Sequence, residues 1–332
     1  MKKLDAVVPI YNEAEILPEL DARLRQVLSG LEFDWRVIYV DDGSHDGSAA
    51  LLAGLSDADD RVSVVHLSRN FGQQLAIAAG LSTADADAVV LLDGDLQDPP
   101  EVIPDLVAKW REGYDVVYAV KRNRKEGRLK RAMFSLFYRI LGAVSSLDIP
   151  ADAGNFSLMD RSVVEMINRM PERSRYVSGL RASVGGRQTG VEFERAERFA
   201  GEPRQSPRRL VHMALDAFFA FSDLPLKLAT LLGFVVSGVA FIVMLNVLYQ
   251  RLFTGEAILG WASTMTSILF IGGIQLLAIG IIGEYIGRIY NETKARPAWV
   301  VARYRNLDPR APASSSPPLH DGGTGDRGAA SA

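Results

Sequence analysis

Three observations predict an α/β domain built on a mainly parallel sheet, followed by an amphipathic helix and a two-helix transmembrane hairpin. Short β-rich runs alternate with helical patterns as far as about Glu202, polar and acidic residues gather just after those runs, and two long apolar stretches stand between Leu226 and Gly283. Alternation at this spacing gives parallel strands with helices on both faces. In such sheets ligands bind beyond the carboxyl ends of the strands.

Taken in order, the predicted strands are Leu4–Ile10, Arg36–Val40, Val62–Leu67, Ala88–Leu92 and Asp115–Val120, with helices such as Glu15–Leu28 and Glu101–Trp110 between them. The strand-end rule is met three times: by Tyr11-Asn12-Glu13, by Asp41-Asp42-Gly43-Ser44, and by Asp93-Gly94-Asp95. A basic segment, Lys121 to Arg131, leads into an amphipathic pattern through Met133, Leu136, Phe137, Ile140 and Leu141. The first domain is expected to cover residues 1–202. Pro203 to Pro207 form a break, and Arg208–Phe221 reads as a juxtamembrane helix with Leu210, Met213, Ala214, Ala217, Phe218 and Phe221 on one face, within a segment 203–225.

The runs Leu226–Tyr249 and Trp261–Gly283 each exceed the roughly 20 apolar residues that a helix needs to cross hydrocarbon. They form an expected hairpin unit of residues 226–290. Between them lie only Arg251 and Glu256 as charges, whereas Arg204, Arg208, Arg209 and Lys227 flank one side and Arg288, Lys294 and Arg296 the other. That asymmetry places both flanks, both termini and the large domain on the cytoplasmic side of an inner (plasma) membrane. Tyr249, Trp261 and Tyr285 fall where interfacial aromatic belts are expected. Two buried helices of a soluble core are the competing reading, but no other element is apolar enough to cover both on all sides. Residues 291–332 make a C-terminal segment, and the Ala-, Ser-, Pro- and Gly-rich part from about Leu307 is expected to be disordered.

A formal net charge of -3 argues against nucleic acid as a partner. The absence of cysteine excludes thiolate catalysis and a Cys-based zinc site. The run Leu4–Ile10 is too short for a signal-peptide core, so the first domain is expected to stay in the cytoplasm. Neither a Gly-x-Gly-x-x-Gly nor a Walker loop follows the first strand, and His45, His66, His212 and His320 lack metal-ligand spacing and read as incidental.

Asp93-Gly94-Asp95-Leu96-Gln97-Asp98-Pro99-Pro100 carries the most chemistry. In an extended chain Asp93, Asp95 and Gln97 share one side. Hard oxygen donors at that spacing suit Mg²⁺ or Mn²⁺, which would neutralise a departing pyrophosphate. Acidic turns are common, so the signal gains its weight from the strand end and from the second pair, Asp41-Asp42. There, Ser44 or Asp46 can cap a helix while a carboxylate accepts hydrogen bonds from a nucleobase or ribose. Glu13 has the same choice between helix start and ribose, and Tyr11 can pack against a base.

Val8-Pro9-Ile10-Tyr11-Asn12-Glu13, Asp41-Asp42-Gly43-Ser44 and Leu92 through Glu101 together resemble family 2 glycosyltransferases. More narrowly they are similar to the polyprenyl-phosphate glycosyltransferases, which include dolichyl-phosphate mannose synthase and bactoprenol glucosyltransferases. The likeness continues through Arg69-Asn70-Phe71-Gly72-Gln73, Asp152 to Arg161, and Gly283 to Arg288. It implies a GT-A (Rossmann-like) catalytic domain, Mg²⁺ or Mn²⁺, and inverting transfer from a nucleotide sugar to a membrane lipid phosphate. Pro9, Tyr11, Asn12, Glu13, Asp41, Asp42, Gln73 and Asp93 would hold the nucleotide sugar, and Asp95 with Gln97 the metal. Arg122, Arg124, Arg128 and Arg131 would meet phosphates by forked hydrogen bonding. A solvated or membrane-surface basic loop is the alternative for that segment. Asp95, Arg122, Arg131, Asp152 and Asn155 make up the implied catalytic set.

Two departures bear on chemistry. Gly94 stands where relatives often carry Ala, and Asn155 where many bacterial relatives carry an acid. An amide cannot act as a base, but a lipid phosphate is already ionised and needs none; Asp152 remains available. UDP-glucose is the first expectation for the donor, ahead of UDP-GlcNAc, a modified arabinose or GDP-mannose, and undecaprenyl phosphate for the acceptor. A processive polysaccharide synthase is disfavoured by the lack of a Gln-x-x-Arg-Trp motif. A non-catalytic scaffold is disfavoured by the intact Asp93, Asp95 and Gln97. Gly272-Gly273 and Gly280 to Gly283 permit close helix contacts in a homo-oligomer.

Overall fold

The computed structural model describes residues 1–122, 153–172, 175–194, 224–249, 253 and 260–307. These fall into two units: a sheet domain, to which residues 296–307 return, and a helix pair.

In the sheet domain β1 (Lys3–Ile10), β2 (Asp34–Asp41), β3 (Val62–Leu67) and β4 (Ala88–Leu91) alternate with α1 (Leu17–Ser29), α2 (Ser48–Ala58) and α3 (Gln73–Thr83). A single 3-10 turn, Pro100–Val102, then leads into α4 (Ile103–Arg111). Next come β5 (Val116–Arg122), β6 (Ala153–Asp160), α5 (Arg161–Arg169), α6 (Val177–Ser183) and β7 (Gln188–Glu194). One eight-stranded sheet results, in the order β7-β5-β6-β4-β1-β2-β3-β8, where β8 is Val301–Arg305. Strands β4, β1, β2 and β3 run parallel; β6 pairs antiparallel with β4 and β5, and β8 antiparallel with β3. The predicted strands therefore stand, with ends shifted by a residue or two.

The reason lies in the side chains. All of β1 from Leu4 to Ile10 is buried, as expected for a strand covered on both faces. Leu4, Ala6, Val8 and Ile10 pack with Leu17, Leu20 and Leu24 of α1 on one side. Val7, Ile38, Val40 and Leu91 pack with Ile77 and Leu81 of α3 on the other.

Charges fasten the far end of the sheet. Buried Asp5 takes two hydrogen bonds from Arg36, 3.0 and 2.7 Å. Asp59 receives Arg61 and Arg25. Hydrogen bonds from Arg61 hold the Asp59 carboxyl down at about 2, against burial, with the Arg25 charge adding to the effect. A depressed folded pKa stabilises the protein above the carboxyl's ordinary 3.8, and that stability is lost as pH falls towards about 2. Urea unfolding of Asp59→Asn should accordingly show a shallower loss of stability over this acid window than the wild type. Identical acid profiles would mean that the ion pairs contribute nothing.

Strand β8 was not anticipated from sequence. Trp299, 1% exposed, plugs the core ahead of it, and the Arg175 guanidinium lies 5.8 Å from the ring centroid. Val64 pairs with Arg305, Val65 with Tyr304 and His66 with Arg303, before the register shifts at Leu67. Beyond the strand the Asn306 side chain donates to Ser56 O (2.6 Å) and Val62 O (3.0 Å).

The helix pair consists of α7 (Leu224–Tyr249) and α8 (Trp261–Thr293). Window Phe270–Gly287 of α8 has a mean hydropathy of 1.6 and none of it is buried. Among the described residues α8 alone is long and apolar enough to cross a membrane; the apolar piece of α7, Ala229–Val243, is shorter. Helix α8 also continues past the expected end at Gly283. Its 33 residues span about 50 Å, more than the roughly 30 Å of a hydrocarbon core. Beyond the Phe270–Gly287 window the helix sequence includes Arg288 and Glu292, charges that belong outside hydrocarbon. The expected helices through Met133–Leu141 and over Arg208–Phe221 lie outside the described residues.

Candidate active site

Four strand ends meet at one rim of the sheet, and hydrogen bonds join their loops. After β1, the amide of Asn12 donates to Ser44 Oγ (3.0 Å), Glu13 N to Ser48 Oγ (3.0 Å) and Ala14 N to Asp46 Oδ2 (3.0 Å). In return Asn12 Oδ1 accepts from His45 N at 2.8 Å, with Asn12 itself in the left-handed region at φ 53°. Asn12 thus joins the first two loops. Tyr11, 36% exposed, offers its ring to solvent above them.

The neighbouring carboxylates Asp41 and Asp42 have different work. Asp41 Oδ1 accepts the Ser44 amide at 3.0 Å, and Oδ2 lies 2.9 Å from His66 Nδ1. Burial alone would raise its pKa, but the hydrogen bonds from His66 and Ser44 bring it below the ordinary value. Asp42 receives the amides of Phe71 (2.7 Å) and Gly72 (2.9 Å). Burial raises its pKa by more than those amides lower it, and the Asp41 charge adds to the rise. Asp41 is therefore the stronger acid of the pair, while Asp42 organises the loop after β3. That loop sits so close that a Cβ on Gly43 (φ 69°) would come 2.5 Å from the Arg69 carbonyl carbon.

Past β4 the chain does not stay extended, so Asp93, Asp95 and Gln97 do not line one side as expected. Asp95 Oδ1 accepts the Gln97 amide at 3.1 Å, which closes a tight turn. Leu96 in that turn takes φ 56°, a conformation that costs a non-glycine residue about 1 kcal/mol or more. Gln97 and Asp98 become buried as a result. Gly94 lies against β1, where a Cβ would meet Pro9 O at 2.8 Å and Ile10 Cδ1 at 2.7 Å. Among the described residues no three His, Asp or Glu side chains converge as a metal cage. By donor type alone, a carboxylate and an amide oxygen such as those of Asp95 and Gln97 are groups that Mg²⁺ or Mn²⁺ accepts beside water and phosphate oxygens.

Asp93 faces the last part of the site. Its Oδ1 accepts Gln73 Nε2 at 2.8 Å and Asn155 Nδ2 at 3.4 Å. On α6, Ser178 Oγ lies 3.2 Å from Asn155 Oδ1. Arg181, 2% exposed, donates to Gly154 O at 3.2 Å with its guanidinium 5.6 Å from the Tyr118 ring centroid. Burial lowers its pKa to about 10, which leaves it a cation at neutral pH. Arg122 ends β5 opposite Glu194 of β7. Arg124, Arg128, Arg131 and Asp152 lie outside the described residues.

Sequence reasoning set His66 aside, yet the ladder places it directly across from Asp41. The strand-end rule applied to β3 would have found it. Gln74, Ser178 and Arg181 gave no such signal.

The chain matches the glycosyl transferase family 2 model over residues 5–167, from β1 into α5. It is 44% identical over 303 residues to the uncharacterized glycosyltransferase YkcC of Bacillus subtilis, covering 91% of this chain and 94% of that protein. The chain belongs to glycosyltransferase family 2. This glycosyltransferase is also 40% identical to a prophage bactoprenol glucosyl transferase homolog of Escherichia coli, covering 91% of its own length and 99% of the relative. To a prophage-derived bactoprenol glucosyl transferase of Shigella flexneri it is 38% identical, over 92% and 100% respectively. Residues 224–289 of the glycosyltransferase match the GtrB C-terminal hairpin model, which takes in α7 and most of α8. Its sheet is of the GT-A type, and the hairpin match accords with association with a membrane.

Proposed function

We propose that this glycosyltransferase moves glucose, with inversion, from UDP-glucose to undecaprenyl phosphate at the cytoplasmic membrane face. The observation that carries this reading is the union, in one chain, of strand-end acids with the uncovered apolar surface of α8. The names of the Escherichia coli and Shigella flexneri relatives supply the sugar and the lipid.

Ionised Asp41 accepts a nucleobase N–H, Tyr11 packs on the base, and Glu13 and Asp93 receive ribose hydroxyls. Pro9, Asn12, Asp42 and Gln73 shape that pocket. Asp95 with Gln97 would hold Mg²⁺ or Mn²⁺, which when bound neutralises the diphosphate. Arg122, Arg124, Arg128 and Arg131 bind phosphates of donor and lipid. A lipid phosphate oxygen attacks the anomeric carbon in line while the bond to the diphosphate breaks. Asn155 takes no proton in this scheme, because the nucleophile arrives already ionised; Asp152 needs no part in it.

Connectivity supports the membrane arrangement. Strand β7 precedes the helix pair and β8 follows it, yet both lie in one sheet. A chain that leaves and returns to one domain crosses a bilayer an even number of times. If α8 crosses, α7 is its return path, and the basic flanks make the shared side cytoplasmic.

Purified enzyme with radiolabelled UDP-glucose, undecaprenyl phosphate and Mn²⁺ should form a lipid-extractable product, and EDTA should stop the transfer reversibly. Label entering lipid only from UDP-GlcNAc or GDP-mannose would reassign the donor. Label in a polymer would favour a processive synthase, and no transfer from any donor would favour a scaffold.

A further inference from the structure

We propose that Gln74 is a positioning residue, which orients Asn155 and through it aims the Asp93 carboxylate at the donor; the proposal rests on the nucleotide-sugar reading above. Gln74 is the second residue of α3, half-buried beside the exposed Gln73. Its side chain links three elements that are far apart in sequence.

Hydrogen-bond direction can be assigned without ambiguity, because one end of the chain of contacts is a backbone donor. Val177 N–H at the start of α6 lies 2.8 Å from Gln74. A donor must face an acceptor, so that atom is Oε1 and the amide Nε2 points the other way. Nε2 lies 3.4 Å from Asn155, which must therefore present Oδ1. The Ser178 hydroxyl, 3.2 Å from the same Oδ1 and 3.4 Å from Gly154 O, has its shorter contact to Asn155. With Oδ1 turned toward these two donors, Asn155 Nδ2 is left facing Asp93 Oδ1 at 3.4 Å. Gln73 Nε2 reaches the same oxygen at 2.8 Å. Every bond in the series runs one way, from the α6 backbone to a carboxylate at the rim.

The arrangement has a chemical consequence. Two amide donors on one carboxylate oxygen fix the direction in which the carboxylate can receive hydroxyls. An amide of free orientation at 155 could instead present its carbonyl oxygen to Asp93, acceptor against acceptor. Gln74 and Ser178 prevent that flip.

Gln74→Glu separates this role from simple anchoring. A glutamate still accepts the Val177 amide but has no proton to give Asn155 when ionised. At pH 8 with Mn²⁺, calorimetric titration of the full-length protein with UDP should show affinity lowered about tenfold in Gln74→Glu, with the melting temperature unchanged. Gln74→Met, which loses both contacts, should lower affinity equally and the melting temperature as well. Ser178→Ala leaves Gln74 in place and should weaken UDP binding about threefold. Wild-type affinity in both Gln74→Glu and Ser178→Ala would overturn the proposal. So would wild-type affinity in Ser178→Ala alone, should Gln74→Glu fail to fold. A wild-type protein that binds no nucleotide at all would instead overturn the nucleotide-sugar reading.

Discussion

Asp95→Asn is expected to reduce sugar transfer about 10²- to 10³-fold while leaving the fold intact. The amide keeps an oxygen to accept the Gln97 N–H, now 3.1 Å from Asp95 Oδ1, so the turn with its left-handed Leu96 survives. What disappears is a full negative charge at the position assigned to the metal. Initial rates measured across a Mn²⁺ series, beside melting curves for both proteins, separate the two effects. Wild-type rates at saturating Mn²⁺ would remove Asp95 from the metal site. Equal loss of rate and melting temperature would mean that the residue serves the turn alone.

The second large effect is expected far from the rim. Trp299→Ala should destabilise the sheet domain by about 3–5 kcal/mol, as truncation of a fully buried aromatic does. Trp299 is 1% exposed and is the largest of the fully buried side chains. It also covers Arg175, whose guanidinium donates to the backbone carbonyls Met170 O (2.8 Å) and Glu172 O (3.2 Å). Burial already lowers the Arg175 pKa, so an adjacent void leaves a poorly solvated cation beside it. Urea unfolding followed by tryptophan-independent circular dichroism gives the number. A loss below about 1 kcal/mol would show that β8 docks without help from its indole.

These two sites differ in how far sequence reveals them. The parallel strands were legible because each is a run of apolar, mostly β-branched residues that stops at a polar cluster, and chain geometry then requires those clusters to share one rim. The same rule located Asp41, Asp42, Asp93 and Asp95. It failed at the next level of detail. Asp95 capping its own turn buries Gln97, which period-two reasoning had placed beside Asp93. Val301-Ala302-Arg303-Tyr304-Arg305 carries two arginines and was legible only as part of the C-terminal segment 291–332; as an edge strand it needs only one covered face. Contacts among Gln74, Asn155 and Val177 join residues 81 and 103 positions apart, and no local pattern encodes such distances.

Strand β8 also sets an order of events during synthesis. Ribosomes deliver the chain from the N-terminus, and domains tend to fold as they emerge. Here seven strands leave the ribosome before the helix pair, while the eighth follows it. Until Trp299 and residues 301–305 arrive, β3 remains an open edge and the core beneath it lacks its largest plug. An unsatisfied edge of this kind invites pairing with other chains. Completion of the sheet therefore waits for both helices to be made, so that an enzyme stalled before its apolar segments also lacks a finished catalytic domain.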